Sequence, residues 1–178
     1  MKKQILTAAL VLGLATTLAG CGDDESTDAG NGSPSSSATT TSTDEAGSLR
    51  VTDPWVKAAD SGMTAAFGVL TNTGDEPVVV TAASTTVNAM TELHETIQND
   101  DGSMAMQPKE GGFTVPAGGT LELAPGGNHI MLMELTQKLE PGTDVEITLT
   151  LGDGSTAVVQ ATVKAFDGAD EKYQEGSH

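Results

Sequence analysis

The chain has a single cysteine, Cys21, at the end of an N-terminal apolar run; no thiol follows it. Disulfides, thiol redox chemistry, cysteine nucleophiles and thiolate metal sites are therefore excluded from everything downstream. Bases are scarce as well. Eight Lys and Arg stand against 25 Asp and Glu, a formal net charge of −17. Removing residues 1–20 with Lys2 and Lys3 takes the charge to about −19, a surface that repels nucleic acid and anionic headgroups. Aromatics number only five (three Phe, one Trp, one Tyr), so a core has to be built from Val, Leu, Ile and Ala. Nor is there a long apolar run: the stretch from Ile5 to Leu18 is too short for a comfortable membrane span.

What that stretch has is the layout of a signal peptide: Lys2 and Lys3, a short apolar segment, then small residues. It closes in Leu18-Ala19-Gly20-Cys21, which resembles the bacterial lipobox, whose Cys is lipidated and becomes the mature N-terminus. The expectation is a signal peptide over 1–20 and a lipid-anchored, extracytoplasmic protein held to the cell membrane through Cys21. Residues 21–48 continue as "GDDESTDAGNGSPSSSATTTSTDEAGS" after the Cys, almost without apolar side chains. They read as a disordered acidic Ser/Thr/Gly tether, of root-mean-square span roughly 27–31 Å. Residues 167–178, from "DGADEKYQEGSH", read as a polar tail.

Between tether and tail, residues 49–166 read as all-β. Ten short apolar stretches are separated by "NTGDEP", "NDDG", "KEGG", "PAGG", "APGGN", "LEPGTD" and "GDGS", each with the Gly, Pro, Asn or Asp that turns require. "DVEITLTL" alternates Val145, Ile147, Leu149 and Leu151 with Glu146, Thr148 and Thr150, the pattern of a half-buried antiparallel strand. Many short strands at this spacing predict an Ig-like Greek-key β-sandwich. Trp55, near the start of the domain, is expected to anchor the core.

Two of the three histidines lie in this domain, His94 and His129, and both have methionine company. Met104 and Met106 form "MAM" after His94; Met131 and Met133 form "MLM" after His129. In "NHIMLMEL", His129, Met131 and Met133 fall on alternate positions and so on one face of a strand. Ile130 and Leu132 are equally apolar, so either parity could point inward. Thioethers select Cu(I), and imidazole is compatible with it. Two His and two Met without a thiolate make a neutral ligand set, better suited to a soft monovalent ion than to Zn²⁺.

The run "ELHETIQNDDGSMAMQPKEGGFTVPAGGTLELAPGGNHIMLMEL" resembles the PCu(A)C family of extracytoplasmic copper chaperones, and the upstream "WVKAADSGMTAAFGVLTNTGDEP" is similar too. The family's signature is a His, a Met some ten residues on, and a His-x-Met some twenty residues later. Here those are His94, Met106, His129 and Met131, with gaps of eleven and twenty-two residues. The resemblance implies a cupredoxin-like sandwich that binds Cu(I) at an exposed site and delivers it toward the dinuclear copper centre of a cytochrome c oxidase subunit. His94 and His129 would be nitrogen donors, Met106 and Met131 sulfur donors. Met104 and Met133 would pack around the site or serve as alternative ligands, and Met90 would be core or support. His129 and Met131 are expected at the exposed end of their strand, with Met133 deeper on the same face.

Rival readings divide on simple features. A blue-copper carrier needs a Cys thiolate and a thiol-based copper-insertion protein needs paired Cys; both are excluded. A zinc hydrolase needs an open His or acid site with a general base, and "HE" at His94-Glu95 is only a fragment of one, so no enzymatic activity is expected. Copper storage, and an adhesion or scaffold lipoprotein that binds no metal, remain as alternatives to delivery.

Overall fold

Strand alternation organises the molecule. The computed structural model describes residues 44–168 and, as backbone, residues 172–173. The expected signal peptide, Cys21, most of the tether and the rest of the tail lie outside the described residues. Eleven strands follow a four-residue helical turn, α1 (Glu45–Ser48). They are β1 (Leu49–Lys57), β2 (Thr64–Asn72), β3 (Val78–Thr85), β4 (Asn88–Gln98), β5 (Met104–Pro108) and β6 (Phe113–Val115). Then come β7 (Thr120–Leu123), β8 (His129–Leu135), β9 (Asp144–Leu151), β10 (Thr156–Lys164) and β11 (Lys172–Tyr173). The first ten coincide with the stretches that the sequence marks.

Hydrogen bonding links the strands in the order β11-β5-β4-β8-β2-β1-β10-β9-β3-β6, with β7 added to β2. The β1–β10 and β11–β5 pairs are parallel and the others antiparallel. This continuous sheet wraps into the expected all-β sandwich. One layer gives Leu70, Leu93, Ile130 and Leu132 to the core; the other gives Val80, Phe113, Ile147, Leu149 and Leu151. Each such side chain, fully buried, contributes about 1.5–3 kcal/mol, so a largely aliphatic composition suffices, with Phe113 the aromatic in this cluster among the described residues.

Three features depart from expectation. Asp44–Ser48, placed in the tether by composition, belongs to the folded unit. Asp44 caps the turn by accepting from the Ala46 amide at 2.9 Å, Glu45 and the Asp153 loop exchange backbone–carboxylate bonds, and Ser48 is buried. Polar residues are held here by capping and not by burial of apolar area, which a composition argument does not detect. Likewise, Lys172 and Tyr173 in the expected tail pair their backbones with Ala105 and Met106 of β5. Trp55 is the third. The β1–β2 register shifts between Thr52 and Trp55, and Asp53 takes φ 50. Val56 then faces the core, fully buried, while Trp55 turns to the opposite face.

Candidate metal centre

Strand β8 resolves the parity question by burying both faces. Ile130 and Leu132 enter the sandwich core. Met131 and Met133 pack on the outer side with Met106, Ala65 and Phe67, against Trp55, in a second apolar cluster. Cross-strand register assembles this outer face. His94 stands directly opposite His129, Glu92 opposite Met131 and Met90 opposite Met133. Ala65 flanks Met131 from β2, and Trp55 lies opposite Phe67. On the far side Met106 pairs with Thr96, two residues along β4 from His94. Residues opposite one another in an antiparallel pair share a face, so one row reads His94, His129, Phe67, Trp55. Its ring centroids are 5.5, 6.3 and 4.5 Å apart in that order.

His129 follows a tight turn in which the Gly127 amide donates to the Ala124 carbonyl and Gly126 takes φ 77, a conformation open to glycine. The Gly127 carbonyl then accepts from the Thr96 amide and hydroxyl at 3.2 Å and from His129 Nδ1 at 3.0 Å. A carbonyl only accepts, so Nδ1 carries a proton, and Nε2 is the nitrogen that a neutral tautomer would offer to a metal. His94 has the other arrangement. Its Nε2 lies 2.8 Å from the Glu92 carboxylate, which can only accept, so Nε2 donates the hydrogen bond and Nδ1 is the nitrogen that a neutral tautomer would offer to a metal. A carboxylate behind a histidine orients the ring and raises its basicity as a ligand. Sequence inspection passed over Glu92, although two residues before a histidine in a strand is a shared face.

A cavity of about 270 Å³ opens beside this face, walled in part by Met63, Phe67, Met106, His129 and Met131. His94 is 0% exposed and sits behind His129, off the cavity wall. The expectation of an exposed site at the strand end needs correction. His129 and Met131 do follow the "PGG" turn, but they are buried, at 4% and 3% exposure, and line the cavity, because the outer face is itself covered. Met133 does lie on their face, further along the strand. Met104 is exposed at the edge, opposite Gln98, and does not pack around the donors. Met90, taken as core or support, is 44% exposed. Met63 and Phe67 are additions. Only the β2–β8 register brings them here, and nothing in their local sequence signals it.

On the opposite side of β4, Glu95 and Lys109 pair at 2.5 Å, and the Lys109 amide donates to the Leu93 carbonyl at 2.8 Å. The Lys109 ammonium holds the Glu95 carboxyl below the usual glutamate range. Together these contacts fasten β5, with Met106, to β4, with His94. Among the described residues no three His, Cys, Asp or Glu side chains come together as a metal cage. The clustered donors are two imidazoles and thioethers, none of them an anion. Such a set fits a soft monovalent cation and gives a hard divalent one little charge compensation.

The LpqE-like lipoprotein family model matches residues 49–163. The chain belongs to the LpqE-like family. Over 130 residues it is 48% identical to "Putative lipoprotein Lxx21020" of Leifsonia xyli subsp. xyli (strain CTCB07), spanning 73% of this chain and 78% of that one. Among solved structures, CuI-DR1885 from Deinococcus radiodurans is 34% identical with a TM-score of 0.50, over 68% of this chain and 83% of that one. The copper-bound PCuAC domain from PmoF2 matches at a TM-score of 0.57 and 19% identity, over 68% of this chain and 96% of that domain; at that identity the likeness is one of fold. The LpqE-like chain thus has the PCuAC β-sandwich that its sequence resembles.

Proposed function

We propose that this LpqE-like protein is a copper chaperone that binds one Cu(I) through His94, Met106, His129 and Met131 and passes it on by ligand exchange. The observation that carries the reading is the β4–β8 register. It sets His94 opposite His129, with one nitrogen of each ring held against a protein oxygen. Two thioethers belong to the adjoining apolar cluster. The 34% identical Deinococcus radiodurans protein has been solved with CuI, which supports the choice of ion and of oxidation state. Neutral donors stabilise Cu⁺ without adding charge, and a partner's ligands can replace the thioethers one at a time from the cavity side.

We further read the protein as a carrier and not an enzyme, anchored extracytoplasmically by lipid at Cys21. The tether confines it near membrane-embedded acceptors and raises their effective concentration. The acceptor we propose is the dinuclear copper centre of cytochrome c oxidase. Anaerobic titration of the full chain with Cu(I) against a competing chelator tests the site. One equivalent should bind, raise thermal stability by mass action, and weaken in acid as protons compete for the imidazoles. His129→Ala combined with Met131→Leu should abolish that binding; unchanged affinity would sink the assignment. Loss of copper to an apo oxidase domain, followed by gel filtration and metal analysis, separates delivery from storage.

A further inference from the structure

Three methionines outside the proposed four-ligand set, or on its margin, fall in one cross-strand row. Met90 of β4 is opposite Met133 of β8. On the other side of β8, Thr64 is opposite Leu132, so Met63, one residue earlier, comes beside Met133. The Leu135 amide donates to the Gly62 carbonyl at 2.9 Å and closes the pairing beyond it, with Glu134 at φ 55 taking up the extra residue. The row reads Met90, Met133, Met63. Its middle member is buried, while its outer members are 44% and 49% exposed. A single exposed methionine is ordinary; two that flank the same buried methionine are an arrangement. Neighbouring Cβ atoms in such a row are about 4.5–5.5 Å apart, and unbranched Met side chains can lean over that distance to converge.

The row also connects inward. Met133 and Met131 share the outer apolar cluster, about 7 Å apart along the strand. Met63 lines the same cavity as Met131, Met106 and His129. We infer that Met63, Met90 and Met133 form an outer, thioether-only site for a soft monovalent cation, from which the ion moves past Met131 to the histidine pair. The inference rests on the proposed Cu(I) reading. In the transfer no electron moves: Cu⁺ keeps its charge, each bond to an outer sulfur breaks as a bond to the Met131 sulfur or a histidine nitrogen forms, and each departing sulfur recovers its lone pair. Three neutral sulfurs hold the ion more weakly than a set containing two imidazoles, so the flow is inward.

The test is anaerobic Cu(I) titration of the full chain with ¹³C-labelled methionine methyls, read by NMR. The first equivalent should shift the Met106 and Met131 methyls, and the second those of Met63, Met90 and Met133. The variant Met90→Leu changes one exposed position off the cavity wall and should keep the first event and lose the second. Its inner site should also fill more slowly from a Cu(I)–chelator complex. If Met63 and Met90 stay silent through the second equivalent while Met106 and Met131 respond, the outer site is overturned and the inner one stands. A second event that survives unchanged in Met90→Leu also overturns it. Silence at Met106 and Met131 removes the inner site and the relay together.

Discussion

The two faces of β8 are both buried and chemically unlike. Leu132 is 0% exposed among branched aliphatics of the sandwich core; Met131, its neighbour, is 3% exposed among thioethers and rings. Water exclusion alone does not choose between Leu and Met, whose volumes are close. What differs is the sulfur lone pair and the unbranched, adaptable chain that carries it. One strand therefore serves two purposes, with the inner face fastening the sandwich and the outer face presenting donors. Burial, read without chemistry, treats both as core.

Substitution separates the faces. Leu132→Ala leaves a cavity between closely packed layers and should lower the unfolding free energy by about 2–5 kcal/mol. Met131→Leu conserves volume and should cost less than about 1.5 kcal/mol, while sharply weakening Cu(I) in chelator competition. Denaturant unfolding of the two variants measures the difference. Equal destabilisation would mean that Met131 is core in the same sense as Leu132, and the contrast between the faces would collapse.

Glu92→Gln sharpens the outer face from behind. The glutamine oxygen can still accept from His94 Nε2, but without the negative charge that makes the ring a better donor. Cu(I) affinity should fall by about 10–100-fold with the unfolding midpoint nearly unchanged. Affinity that stays at the wild-type level would show that the carboxylate only fills space beside the ring.

The β architecture was legible because the chain's alternation and turn residues are locally consistent: "DVEITLTL" became β9 with Val145, Ile147, Leu149 and Leu151 all buried. The sharing of a face by His129, Met131 and Met133 was legible for the same reason. What stayed hidden depends on register. A strand's period says that Ile130 and Met131 point apart, but not that both sides are covered. Trp55 was misplaced because the shift in β1 exchanges the faces, and no residue in "DPWVKA" announces it. Met63 and Phe67 reach the cavity through long-range pairing of β2 with β8, information that is absent from their own neighbourhood. Capping at Asp44 and the short β11 pairing rest on a few backbone bonds and leave no compositional trace.

The smallest expected effect tests how the two strands that carry His94 and Met106 are fastened. Lys109 and Glu95 lie on the face of β4 away from the histidines, with side chains 29% and 31% exposed. Water screens such a pair, so Lys109→Met should cost only about 0.2–1 kcal/mol at neutral pH. The pH dependence identifies the source. The Glu95 carboxyl is lowered chiefly by its hydrogen bond from Lys109, then by the charge of that ammonium and a bond from Gln107. A depressed carboxylate binds fewer protons folded than unfolded, so its contribution is present above the usual glutamate range and fades as pH falls through the lower folded value. Wild type and Lys109→Met should therefore differ by a constant amount at neutral pH and converge in acid. A gap that persists undiminished in acid would assign the loss to the packing of the lysine's methylenes between β4 and β5, in place of its charge.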